Sequence, residues 1–436
     1  MDAANSVVTA LAVRHGQIVA VGEDRDIAQL HGPRTRIVDL AGRTVIPGIN
    51  DSHLHATWLG ALWPRTLLGG GDWAVPSQLV ADAFQRRAAI LRAGELCLSM
   101  GITSYTEPGL GAGEDAGPTG CFGQPVLDEY LLLAAEGLLQ CRVTVLRLFG
   151  LLDGPSTMAD FVAGLATDPP ETDARWLNIR GVKIFADGIP PMRSAWMHAC
   201  YSDGSSGELL VAGSDDLDRQ ATLRAMIGQA HALGLQIGVH ATGDRTIDVV
   251  VDALAEVAAQ DGQRLRHYLV HADTASPAAI ARMAQHGIGV TTQPGIALAT
   301  SQLMSAEIGA AATGRAWPLA QLLAAPLTFT LSSDAPVLSP DWRSQIAAAA
   351  AWMGRCGTDP ELMLRLLHCY TTAAAVQDGA ESWKGSIEVG KVADLCVLAG
   401  NPLTIDLEQL PELAVDATIL DGQLVFQREH AELASR

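Results

Sequence analysis

Basic charge is scarce in this sequence: Lys and Arg number 29 against 48 Asp and Glu, a formal net charge of −19. That balance argues against general binding to nucleic acid or to an anionic membrane surface, both of which need clustered cations. Long apolar runs are missing as well, and stretches such as 347–353 fall short of the ~18–20 residues that a membrane span needs. No basic segment followed by an apolar one opens the chain, so no secretory leader is expected. Seven cysteines lie scattered (Cys97, Cys121, Cys141, Cys200, Cys356, Cys369, Cys396), with no Cys-x-x-Cys pair or other metal-type spacing. An odd count without a framework fits reduced thiols in a cytoplasmic protein. No glycine-rich phosphate loop follows an early strand, which counts against an open dinucleotide-binding sheet.

What is present is a large apolar fraction, 48% against 18% charged, enough for one big domain and a smaller one. The first 46 residues read as short strands at 7–13, 17–21 and 36–39, separated by turns. The last fifty look alike, with strands at 394–399 and 417–420 and an Asp421-Gly422 hairpin signal leading into 423–426. Two β-rich ends predict one composite β-sandwich domain from 1–46 and 384–436. Between them, 47–383 alternates strands and helices. Eight buried strands are expected at 44–49, 101–107, 142–149, 179–187, 235–241, 266–272, 288–294 and 327–334. Helical patterns fall between them, among others at 77–100, 126–140, 215–233, 245–260, 277–285 and 318–324. Eight such units predict a (β/α)8 barrel of the TIM type.

In such a barrel the chemistry gathers at the C-terminal strand ends. Strand one ends in Asp51-Ser52-His53-Leu54-His55, whose two histidines share one side at the strand end, as metal ligands need. Alone, that pair is equally two polar loop residues. Strand five ends in His240, strand six in His271 and strand eight in Asp334; His240 to His271 spans 31 residues, one unit, and His271 to Asp334 spans 63, two units. Asp334 also suits a helix N-cap. Strand four carries Lys183 inside an apolar run, costly unless partnered, for instance by Asp187.

These motifs resemble the amidohydrolase superfamily, and within it the amidohydrolase-3 (YtcJ-like) branch. The resemblance rests on Val45-Ile46-Pro47-Gly48 with the two histidines, Gly181 to Gly188 around Lys183, Val239 to Arg245, the stretch from His271 to Pro294, Ser333 to Pro336, and Gly385 to Leu395. It implies hydrolysis by a metal-activated water at a centre of two divalent ions, zinc first, with manganese, cobalt or iron(II) as alternatives. His53 and His55 would hold one ion, His240 and His271 the other, and Asp334 would sit beside the first as general base and then acid. Lys183, carboxylated by CO2, would bridge both; Glu107, at the end of strand two, is the rival bridge. The bond would be a C–N bond of an amide, carbamate or N-acyl amino acid, or an ester. Arg193 is a candidate partner for a substrate carboxylate, or an ordinary surface arginine; Trp58, Tyr105 and Trp196 are candidate walls on mouth loops, or loop packing.

The chain departs from the family's pattern in three places. The segment between His55 and Gly101 is short, the loop after Asp187 reads Gly188-Ile189-Pro190-Pro191-Met192-Arg193, and the β-domain is expected to lack a first strand pair. A mononuclear deaminase is the nearest rival, but no glutamate follows His240. A non-catalytic metal-binding barrel is the rival from another class. The expected partner is a small-molecule substrate, with neither nucleic acid nor membrane, in a homo-oligomer.

Overall fold

The segment 44–49, expected as one barrel strand, divides at Gly48. Thr44–Pro47 pairs antiparallel with Leu395–Leu398 in a small sheet, while Ile49–Asp51 (β1) opens the large one. A Cβ at Gly48 would lie 2.1 Å from Thr103 Oγ1, so a side chain is excluded where the chain crosses between the sheets. The computed structural model describes residues 2, 4–68, 77–152, 154–167, 171–429, 431 and 434–435.

Around the large sheet the strands follow chain order and run parallel: β1, β2 (Ile102–Leu110), β3 (Arg142–Leu148), β4 (Leu177–Phe185), β5 (Gln236–Ala241), β6 (Tyr268–His271), β7 (Gly289–Thr292) and β8 (Phe329–Leu331). Apart from the first residues of β4, they are buried on both faces, as strands inside a ring of helices must be. Helices follow the strands and their ends obey local chemistry. Asp82 caps Ala83–Ser99 by accepting from Gln85 N at 2.8 Å, so the helix expected from 77 starts later. Gln124–Ala135 stops short of the expected 140 because Gly137 takes a left-handed conformation just past its end.

β1 and β8 share no ladder among the described residues. Their seam is closed by loop bonds instead: Asp334 N donates to His53 O at 2.9 Å, His55 N to Ala335 O at 2.7 Å, and Ser333 N to Asp51 Oδ1 at 3.1 Å. The barrel is therefore nearly, not wholly, closed by its ladders.

Segments from both chain ends form the antiparallel part. Val415–Leu420 pairs with Leu395–Leu398 and with Gln423–Gln427, and the turn Asp421-Gly422 has φ of 51° and 75°, as a type I′ hairpin needs. The hairpin Ala10–Arg14 with Gln17–Gly22 attaches through Ile18 N to Lys391 O, 2.8 Å, and Val38–Asp39 pairs with Ala434–Ser435. Arg142, at the start of β3, ties the barrel base to these sheets. Its guanidinium meets Asp394 at 2.6 and 3.0 Å and Asp421 at 3.1 Å, under the Trp176 ring. No described helix is long and apolar enough to cross a membrane.

Candidate metal centre

At the end of β6 and just after β8 the chain turns through conformations that side chains rarely adopt. His271, Ala272 and Asp334 have φ of 74°, 55° and 56°, bends held by the packed loops around them. The result brings together residues far apart in sequence. His53 Nε2 lies 3.2 Å from Asp334 Oδ1, and His55 Nε2 lies 3.5 Å from the same oxygen. The His271 ring stands 5.6 Å from that of His53 and 4.5 Å from that of His240. One donor atom each from His53, His271 and Asp334 lies within 4.8 Å of the other two. This cluster joins His53 to His271, which the family resemblance assigns to different ions.

The free nitrogen of each ring follows from what holds the other one. His271 Nδ1 faces Gln293 Oε1 at 2.6 Å, which leaves its Nε2, whereas His55 has Nδ1 facing Glu107 Oε1 at 3.2 Å and Nε2 facing Asp334 Oδ1 at 3.5 Å. His240 points Nε2 at Gly188 O, 3.1 Å away, leaving Nδ1. Burial draws His53 down to about 3, helped by the charge of Lys183, and does the same to His240; burial with His240 beside it holds His271 well below its ordinary value. Burial thus favours the neutral imidazole in these three rings. His55 differs: burial pulls it down, but its hydrogen bonds to Asp334 and Glu107 outweigh that and raise it to about 9. Burial also opposes the charge on Asp334, yet the surrounding histidines hold its carboxyl well below the usual range. Neutral imidazoles around an ionised carboxylate are the donor chemistry of a divalent cation site.

Lys183 is 1% exposed on β4, where its charge reaches His53, His240 and His271. Glu107 has both oxygens engaged elsewhere: Oε1 with His55, Oε2 with Ala56 N at 2.6 Å and Tyr130 OH at 3.2 Å. It thus stands behind His55 and orients that ring. Asp187 accepts from Thr242 N, Gly243 N and Trp196 N at 3.0, 2.9 and 3.2 Å, shaping the loops after β4 and β5.

The candidate substrate residues fare differently. Arg193 forks onto Glu307 at 2.6 and 2.9 Å and meets Asp203 at 3.2 Å, so its guanidinium is engaged in surface ion pairs. Tyr105 lies within β2 and not on a mouth loop, with its hydroxyl 3.1 Å from that of Tyr130 in the core. Trp196 is 1% exposed, stacked beneath Arg245 at 3.8 Å, and acts as loop packing. Of the three aromatic candidates Trp58 adjoins the centre, its ring 6.1 Å from His55 and 5.4 Å from Phe122, and its buried Nε1 has no acceptor among the described residues. Sequence reasoning passed over Gln293, although it stands just beyond β7 as His240 and His271 stand at the ends of theirs.

A parallel eight-stranded barrel with such a cluster at its C-terminal strand ends defines a metal-dependent hydrolase class. A family model described as the amidohydrolase family matches residues 65–426, and the chain belongs to that family, in its amidohydrolase-3 branch. It is 28% identical over 406 residues to imidazolonepropionase of Symbiobacterium thermophilum, covering 91% of this chain and 85% of that protein. It is 31% identical over 206 residues to N-substituted formamide deformylase of Arthrobacter pascens, 46% of this chain and 38% of the other. For YtcJ of Bacillus subtilis the identity is 26% over 261 residues, 58% of this chain and 48% of that one, so two of these relatives are matched over less than half their length. An uncharacterized metal-dependent hydrolase from Pyrococcus furiosus shares the fold, with a TM-score of 0.71 at 20% identity over 91% of this chain and 96% of the other.

Proposed function

We propose that this chain hydrolyses a C–N bond of a small molecule, in the amide, carbamate or N-acyl amino acid class, with esters as a lesser possibility. The observation that carries this reading is the convergence of His53, His271 and an ionised Asp334 within 4.8 Å at the barrel mouth. The name of the formamide deformylase points to the same kind of bond in one relative. A divalent ion held there by His53, His271 and Asp334, with His55, His240 and a carboxylated Lys183 around them, supplies Lewis acidity toward a carbonyl and toward water. Zinc suits the imidazole-rich donor set, with manganese, cobalt and iron(II) next.

Asp334 takes the proton of the attacking water and returns it to the departing nitrogen, so that the amine leaves neutral. Its lowered pKa means that it waits ionised, with a free oxygen lone pair for that proton. Trp58 offers its indole N–H, buried without an acceptor among the described residues, to a substrate oxygen, and Phe122 beside it favours an apolar group there.

A panel of N-substituted formamides, N-acyl amino acids, aryl amides and carbamates, assayed with Zn2+, Mn2+ or Co2+, tests the reading. Turnover is expected on one class, and Asp334→Asn is expected to lower kcat by about 10²–10⁴-fold. Undiminished turnover in that variant removes Asp334 from the chemistry. A protein that takes up no divalent ion, and whose turnover ignores chelators, refutes the whole reading.

A further inference from the structure

The hydrogen bond at His271 is the shortest of those that orient the histidine rings, and its acceptor is an amide rather than a carboxylate. Gln293 Oε1 lies 2.6 Å from His271 Nδ1. The other end of the amide is also held: Gln293 Nε2 donates to Ser332 Oγ at 2.8 Å, and Ser332 Oγ stands 3.1 Å from Thr291 Oγ1. Gln293 is 1% exposed, and Thr291 and Ser332 are fully buried, so water does not compete for these bonds. The row runs from the end of β6 across β7 to the residue after β8.

A side-chain amide has two unlike ends, and turning it over reverses what it asks of the ring beside it. With Oε1 toward the ring, Nδ1 must carry the proton, and Nε2 keeps a lone pair. With the NH2 group toward the ring, Nδ1 must accept, Nε2 carries the proton, and that nitrogen is closed to a cation. The structure holds the first arrangement, with Ser332 Oγ accepting from Nε2 of Gln293 at 2.8 Å and either hydroxyl able to donate between Ser332 and Thr291. We propose that Gln293 is a positioning residue that fixes His271 as the Nδ1–H tautomer, its own amide held at the far end by Ser332. The inference rests on the reading of His271 as a metal ligand, but the tautomer itself exists with or without an ion.

Two measurements separate those claims. In the metal-free full-length chain, long-range 1H–15N spectra of labelled histidine, with the His271 signals identified by their loss in His271→Asn, are expected to report the Nδ1–H form. Gln293→Leu, close in shape but without donor or acceptor, is expected to yield mixed or Nε2–H signals. Gln293→Glu retains an acceptor, which Ser332 can meet by donating, and is expected to restore the Nδ1–H form. Affinity for Zn2+, by competition with a chromogenic chelator, should fall about 10–100-fold in Gln293→Leu and return to within about threefold in Gln293→Glu. Thermal unfolding of each variant shows whether it is folded. A wild-type Nε2–H signal, or a folded Gln293→Leu with unchanged tautomer, overturns the proposal. If the tautomer shifts as stated while no variant and no wild-type protein binds Zn2+, Gln293 keeps its role and the metal reading fails.

Discussion

Asp187 shows how much of this centre depends on burial. It is fully enclosed, and burial drives its carboxyl up to about 7 although three backbone N–H groups pull the other way. A carboxyl raised in the folded state contributes stability that is complete below its unfolded value of 3.8 and is lost as the pH rises through about 7. Urea unfolding at pH 5 and pH 8 should therefore show the wild type losing about 2–3 kcal/mol more than Asp187→Asn, which has no proton to lose. Equal losses in both would place the titration elsewhere. At this scale the sequence puts His53, His55, His240, His271 and Asp334 at strand ends, and the structure brings donor atoms of His53, His271 and Asp334 within 4.8 Å of one another. The sequence was not legible where the role depends on a neighbour contributed by another strand. Gln293 and Glu107 both act through a histidine more than twenty positions away, and Arg193 is claimed by Glu307, which is 114 residues along.

Elements were more readable than residues, because burial on both faces forces a β-branched or aliphatic run regardless of partner. The eight strands lie where the pattern puts them; the exception is the first. Within 44–49 the change of sheet is marked by Pro47-Gly48, and Gly48 is required there by the Thr103 side chain across the gap. The joint between the two sheet systems depends on a charge that the pattern hides. Arg142 is 3% exposed and makes three bonds to Asp394 and Asp421 from the opposite end of the chain. Arg142→Met should leave Asp394 buried without its cation and cost about 3–5 kcal/mol in unfolding free energy. The double variant Arg142→Met with Asp394→Leu should recover most of that. A single variant as stable as the wild type would mean that the joint is held by strand pairing alone.

For the molecule as a whole, the seam between β1 and β8 has a consequence for how metal content is felt. The three amides that bridge it belong to Ser333, Asp334 and His55, and two of those residues point side chains into the candidate centre. Closing the ring and presenting the ligands are thus one and the same arrangement of backbone. Zn2+ at about a hundred times its dissociation constant should slow amide hydrogen exchange at Asp334 and His55 by up to about 100-fold, with the β2–β3 ladder little changed. Exchange at the seam indifferent to the ion would uncouple the two. If they are coupled, a chain starved of metal is a barrel with a loosened joint, open to proteases there first. Its abundance would then follow the supply of the ion as well as its own synthesis.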